Sequence, residues 1–195
     1  MNAMTWIRIP LLAAIATLVA HGAVAAQPTT PLAIHTNDDG QDDFDPLDGT
    51  WKVHLKKLVK PLTRSTTWIE FDGTSSLRKL LGGRANLDEF TSEDPQTHTK
   101  TEGVTLRLYN PTTKEWRIYW ISPRDSAIGI PVVGKFKNGR GEFYDQEEFQ
   151  GRTIFVRYVW SNITANSAHF EQSFSEDGGK TWETNWVTDQ TRVSP

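Results

Sequence analysis

From residue 50 to the C-terminus, short β-branched and aromatic runs alternate with turn-forming clusters about every ten residues, the rhythm of a strand meander. The pattern predicts strands over 50–58, 65–71, 75–81, 85–90 and 104–109, then over 116–121, 132–137, 141–148, 153–160, 168–175 and 181–191. Turns are expected at Phe71-Asp72-Gly73, Asn110-Pro111, Asn138-Gly139 and Asp177-Gly178-Gly179, residue types that tolerate positive φ or start turns. Beyond residue 26 no segment keeps a helical period, although 44–48 has room for one short helical turn. About ten meandering strands in one domain need a closed barrel or a two-sheet sandwich to cover their edges.

Alternation sorts the faces. Val104, Leu106 and Leu108 oppose Thr105, Arg107 and Tyr109, and Trp116, Ile118 and Trp120 oppose Arg117, Tyr119 and Ile121. Further on, Tyr158 and Trp160 oppose Arg157 and Val159, while Phe170, Gln172 and Phe174 oppose His169, Glu171 and Ser173. In several strands the second face mixes Arg, Tyr and apolar residues. That mixture suits a barrel with a partly polar lumen, and it favours an all-β antiparallel barrel over a sandwich whose outer face carries long Arg stems over aromatics.

Residues 1–26 have the form of a secretory signal peptide: Arg8 near the start, the apolar stretch PLLAAIATLVA, and a small-x-small site at Ala23-Val24-Ala25. The apolar stretch falls short of the ~20 residues a spanning helix needs. Cleavage before Gln27 is therefore expected, leaving an exported periplasmic or secreted domain with no membrane span. Residues 27–43 are rich in Pro, Thr, Asn and Asp and predict a flexible polar lead-in, with the barrel domain occupying 44–195. The Asp cluster there is not a calcium loop: with Gly40 at the sixth position, His35 and Pro46 fall where carboxylates are required.

Composition narrows the function classes. A chain of 195 residues with a net charge of −3 lacks the basic excess of a nucleic-acid or anionic-membrane surface. It has no cysteine, which rules out disulfides, thiolate metal sites, a cysteine nucleophile and an acylated cysteine anchor. Eight Trp are a surplus whose place is core, wall or ligand contact.

Asp48-Gly49-Thr50-Trp51, a Gly-x-Trp ahead of the first strand, resembles the opening motif of lipocalins. The resemblance implies that Trp51 closes the barrel floor and that Arg192 packs across it as a cation–π contact. Longer stretches, among them Trp68-Ile69-Glu70-Phe71-Asp72-Gly73, Leu80-Leu81-Gly82-Gly83, Trp116-Arg117-Ile118-Tyr119-Trp120 and Phe170-Glu171-Gln172-Ser173-Phe174-Ser175, resemble an uncharacterised bacterial secreted lipocalin-like family. The resemblance covers about 43–193 and implies a calycin-like barrel of about ten strands with no settled catalytic residues. Ser175-Glu176-Asp177-Gly178-Gly179-Lys180-Thr181-Trp182 also matches the Asp-box hairpin of sialidase-type propellers. Its single copy, in a chain too short for a propeller, is expected to be a stable turn rather than part of a sugar hydrolase.

Candidate chemistry is sparse. His35, His54, His98 and His169 lack metal-ligand spacing, no metal site is expected, and neither a nucleophile elbow nor a phosphate- or dinucleotide-binding loop points to a cofactor. His169 and Glu171 point into one space, and Arg157 lies on the strand expected beside them. If that face lines the lumen, Arg157, His169 and Glu171 form a polar cluster, with Arg117, Tyr119, Asn185 and Trp186 as further ligand contacts. Three readings follow. One is an exported protein that holds a small apolar or amphipathic molecule in its barrel. Another is an isomerase- or hydratase-like barrel enzyme working by acid–base chemistry through His169 or Glu171. The third is a pocketless envelope protein docking an acidic partner through the basic run Lys52, Lys56, Lys57, Lys60 and Arg64.

Overall fold

The computed structural model describes residues 39–124 and 127–194; the expected signal segment and most of the polar lead-in lie outside the described residues. Ten strands form the wall: β1 (Gly49–Leu58), β2 (Trp68–Leu80), β3 (Ala85–Glu93), β4 (Lys100–Asn110), β5 (Glu115–Ile121), β6 (Val132–Lys137), β7 (Arg140–Phe149), β8 (Arg152–Ser161), β9 (Ser167–Ser175) and β10 (Glu183–Ser194). Each runs antiparallel to its sequence neighbour, and β1 closes on β10, so the sheet is a closed barrel. The all-β, ten-stranded antiparallel barrel expected from the meander is the fold.

The turn chemistry explains most of the boundaries and corrects one. Asn138 (φ 52°) and Gly139 (φ 74°) both adopt left-handed backbone, as a two-residue hairpin turn requires. Phe71-Asp72-Gly73, in contrast, is no turn. It lies inside β2, which joins the two strands expected over 65–71 and 75–81. Gly73 is extended and pairs with Val53 and with Ser92. A Cβ there would sit 2.6 Å from the Thr91 carbonyl oxygen, so the glycine serves close approach between strands.

One end of the barrel is plugged. A 3₁₀ turn, Asp45–Leu47, follows Phe44, whose ring meets Trp116 at 5.1 Å, Phe136 at 5.0 Å and Phe143 at 5.9 Å between centroids. Trp51 donates its indole N–H to the Leu47 carbonyl at 2.8 Å and lies under the Arg192 guanidinium at 4.2 Å. Arg192 in turn donates to the carbonyls of Pro46, Asp48 and Ala165. The Trp51–Arg192 contact implied by the lipocalin-like motif is therefore present. Residues 39–41, assigned from composition to the lead-in, are tied to this floor: Tyr109 and Trp116 donate to the carbonyls of Asp39 and Gly40 at 2.6 and 2.8 Å, and Gln41 is buried.

Candidate functional site

Above the floor the barrel opens into a cavity of about 500 Å³. Its walls are mainly aromatic, with Phe90, Trp120, Tyr158, Trp160, Phe170 and Trp186 among the lining residues. Phe90 stands between Trp120 and Trp186, with centroids 6.2 and 6.4 Å away, and forms part of an aromatic collar. Trp120 can lie against the wall because residue 103 is glycine: a Cβ at Gly103 would come within 2.6 Å of the indole. Alternation then turns every second residue of each strand inward.

The deep polar group of the cavity is Arg107, fully buried on β4. Its guanidinium donates to Asn86 Oδ1 at 3.0 Å and Asp88 Oδ2 at 3.1 Å, while Ser75 donates to Asp88 Oδ1 at 2.5 Å. It also lies 4.9 Å from the Phe44 ring and 5.2 Å from Trp160, so it joins the floor to the cavity. Burial pushes its pKa down and Asp88 pushes it back up; a guanidinium keeps its charge through such a shift. Its Nε–H has no partner among the described residues.

A second polar group faces in from β9 and β10. The β9–β10 register slips between Thr184 and Trp186, a bulge that brings both Asn185 and Trp186 to the cavity. Gln172 donates to Asn185 Oδ1 at 2.8 Å, leaving the buried Asn185 Nδ2 without a partner among the described residues. At the rim, the ammonium of Lys57 lies 5.8 Å over the Trp186 ring, and Lys57 also lines the cavity.

Of the residues the sequence singled out, Asn185 and Trp186 line the cavity, whereas Arg157, His169, Glu171, Arg117 and Tyr119 lie on the opposite, outer face. The lumen on β8 and β9 is lined instead by Tyr158, Trp160, Phe170, Gln172 and Phe174. Arg157 lies 4.6 Å over the Trp182 ring outside the barrel. That is the Arg-over-aromatic outer surface the sequence reading had ascribed to a sandwich. His169 bridges Asp189 at 2.7 Å and Glu171 at 3.1 Å. Partial burial lowers its pKa, but hydrogen bonds to Asp189 and Glu171 outweigh this and leave it above the ordinary value.

The basic run is largely answered on the same outer surface. Lys52 pairs with Asp72 at 2.9 Å and Lys56 with Glu70 at 3.1 Å, with His54 between the two acids. The Asp-box segment is a turn built on Asp177, which accepts hydrogen bonds from the amides of Lys180 and Thr181 and the hydroxyls of Ser175 and Thr181. Sequence reasoning missed Arg107, Asp88 and Asn86. Their signal was present: an Asn-x-Asp on one strand faces a lone Arg on the next, and Asn86 is the register partner of Arg107.

Among the described residues no cluster of His, Asp or Glu is arranged to hold a metal ion, and no helix is long and apolar enough to cross a membrane. No family model and no curated protein matches the chain. Among solved structures it is similar to the S-type phycobiliprotein lyase CPES from Guillardia theta, with 10% sequence identity and a TM-score of 0.55 over 80% of this chain and 93% of that one. At that identity the likeness is one of fold. Barrel closure, Trp51–Arg192 floor and structural neighbour agree on a lipocalin-like, calycin-type barrel.

Proposed function

We propose that the protein is an exported binding protein that holds one small apolar or amphipathic molecule in the open end of its barrel. The observation that carries this reading is the cavity itself, about 500 Å³ with an aromatic lining and a few buried polar groups at fixed positions. Ligand sites are concave, mostly apolar and polar at few points. An aromatic core alone would need no such space, since interiors pack to crystal density. Acid–base catalysis through His169 or Glu171 fits less well, because both face away from the cavity. Docking through the basic run is also disfavoured, since Lys52 and Lys56 are already paired with acids. The structural neighbour is a phycobiliprotein lyase, and its likeness in fold lends this reading no substrate.

Native mass spectrometry of the protein isolated gently from its own host tests the proposal. A retained mass of a few hundred daltons, released on denaturation, is the expected result. Bare protein, with nothing recovered in the organic extract, would contradict it. Export rests on the pattern of residues 1–26. An N-terminus at Gln27 in protein recovered outside the cytoplasm is expected, and protein retained in the cytoplasm with an intact Met1 start would refute export.

A further inference from the structure

The cavity lining holds buried donors that lack acceptors among the described residues. Both carboxylate oxygens of Asp88 are occupied, by Ser75 and by Arg107. Two lining N–H groups have no acceptor among the described residues, Arg107 Nε and Asn185 Nδ2. A buried donor left without a partner keeps its full desolvation penalty, which an acceptor on a bound molecule would remove. Asn185 is 2% exposed and is held by Gln172 through its other amide atom, so the donor is positioned before any ligand arrives.

The charges of the lining lean the same way. Arg107 and Asp88 offset each other by a direct ion pair, and the ammonium of Lys57 stands at the rim, faced by the longer-range charge of Asp94. Lys57 is the cross-strand partner of Trp186, and Asn185 immediately precedes Trp186 at the bulge. Ammonium, amide and indole therefore belong to one corner of the mouth, between β1 and β10. We infer that this corner is an oxyanion subsite, and that the ligand is a flat organic acid whose acid oxygens meet Lys57 and Asn185 while its aromatic or conjugated body lies against Trp186, Phe90 and Trp120. The inference rests on the cavity reading proposed above and adds the charge and shape of the occupant.

Two probes of one skeleton separate the inference from that reading. Anilinonaphthalene sulfonate carries an oxyanion; phenylnaphthylamine is the same body without it. Titrations of the folded protein are expected to show the sulfonate binding ~10-fold tighter or better, the scale of one charge-assisted hydrogen bond. Asn185→Leu and, independently, Lys57→Gln are expected to lower sulfonate affinity severalfold and phenylnaphthylamine affinity by much less. Lys57 is exposed at the rim, so its replacement does not threaten the fold even if Asn185→Leu does. Raised salt should weaken the sulfonate in the wild type more than in Lys57→Gln. Equal affinity for the two probes, or equal losses for both in the variants, would overturn the oxyanion subsite while leaving the cavity reading standing. Failure of both probes to bind would overturn the cavity reading and the subsite with it.

Discussion

Arg107 is the residue on which floor and cavity both depend. It is fully buried, pairs with Asp88 and Asn86, and lies over the rings of Phe44 and Trp160. Removing one member of a buried ion pair leaves the other charged and unpaired, which costs far more than removing both. Arg107→Leu is expected to destabilise the barrel by about 3–5 kcal/mol in urea unfolding, and the double replacement Arg107→Met with Asp88→Leu should recover most of that loss. A second residue reports on pH. Burial, and then the charge of Glu147, push the Asp145 carboxyl up to about 7. The fold therefore favours the neutral acid, and this group costs stability as pH rises from the ordinary carboxylate range through about 7. Asp145→Asn should leave the free energy of unfolding unchanged near pH 4 and raise it near pH 8, by an amount on the order of 2 kcal/mol, read in urea unfolding. His54 and His169 move stability in the same direction. Both are raised above the ordinary histidine value, so their contribution is full below that value and fades as pH climbs past the raised one. Sequence alone made Trp51 and Arg192 legible, because a motif and a C-terminal Arg point to each other. It could not place Arg157 or Arg107, because both faces of β4 and β8 carry apolar side chains, and alternation alone does not say which face turns inward.

Among the elements, the floor segment and the last hairpin show how local sequence becomes architecture. Phe44 is the hub of the floor, in contact with the rings of Trp116, Phe136, Phe143 and Trp160. Phe44→Ala is expected to cost about 3–5 kcal/mol, the range for a fully buried aromatic, and to loosen the aromatic contacts at the cavity base. The hairpin between β9 and β10 depends on Asp177, whose hydrogen bonds from Thr181, Ser175 and Lys180 hold its carboxyl well below the usual carboxylate range. Asp177→Ala should raise amide hydrogen exchange across 176–182 and leave the floor strands unaffected. Both features were readable in part: 44–48 allowed a helical turn, and the Asp-box spacing gave the hairpin. The glycine at 73 was read as a turn because Gly in a strand signals either a turn or close packing, and only the presence of Thr91 beside it decides between them.

For the molecule as a whole, the fold was far more legible than the site. Ten strands, short connections and turn residues at the right spacing leave few ways to cover the sheet edges, and closure of β1 on β10 is one of them. The cavity depends on facts no single sequence carries: which face turns inward, a one-residue bulge at Asn185, and a wall thinned at Gly103 to seat an indole. The central claim is that this cavity is a binding site, and the direct test is a fluorescence titration with phenylnaphthylamine. The wild type is compared with Thr101→Trp, which places a large ring on a lining residue away from the floor. One saturable site per molecule in the wild type, lost in Thr101→Trp with far-UV circular dichroism unchanged, is the expected result. No saturable binding, or equal binding by both proteins, would contradict the claim.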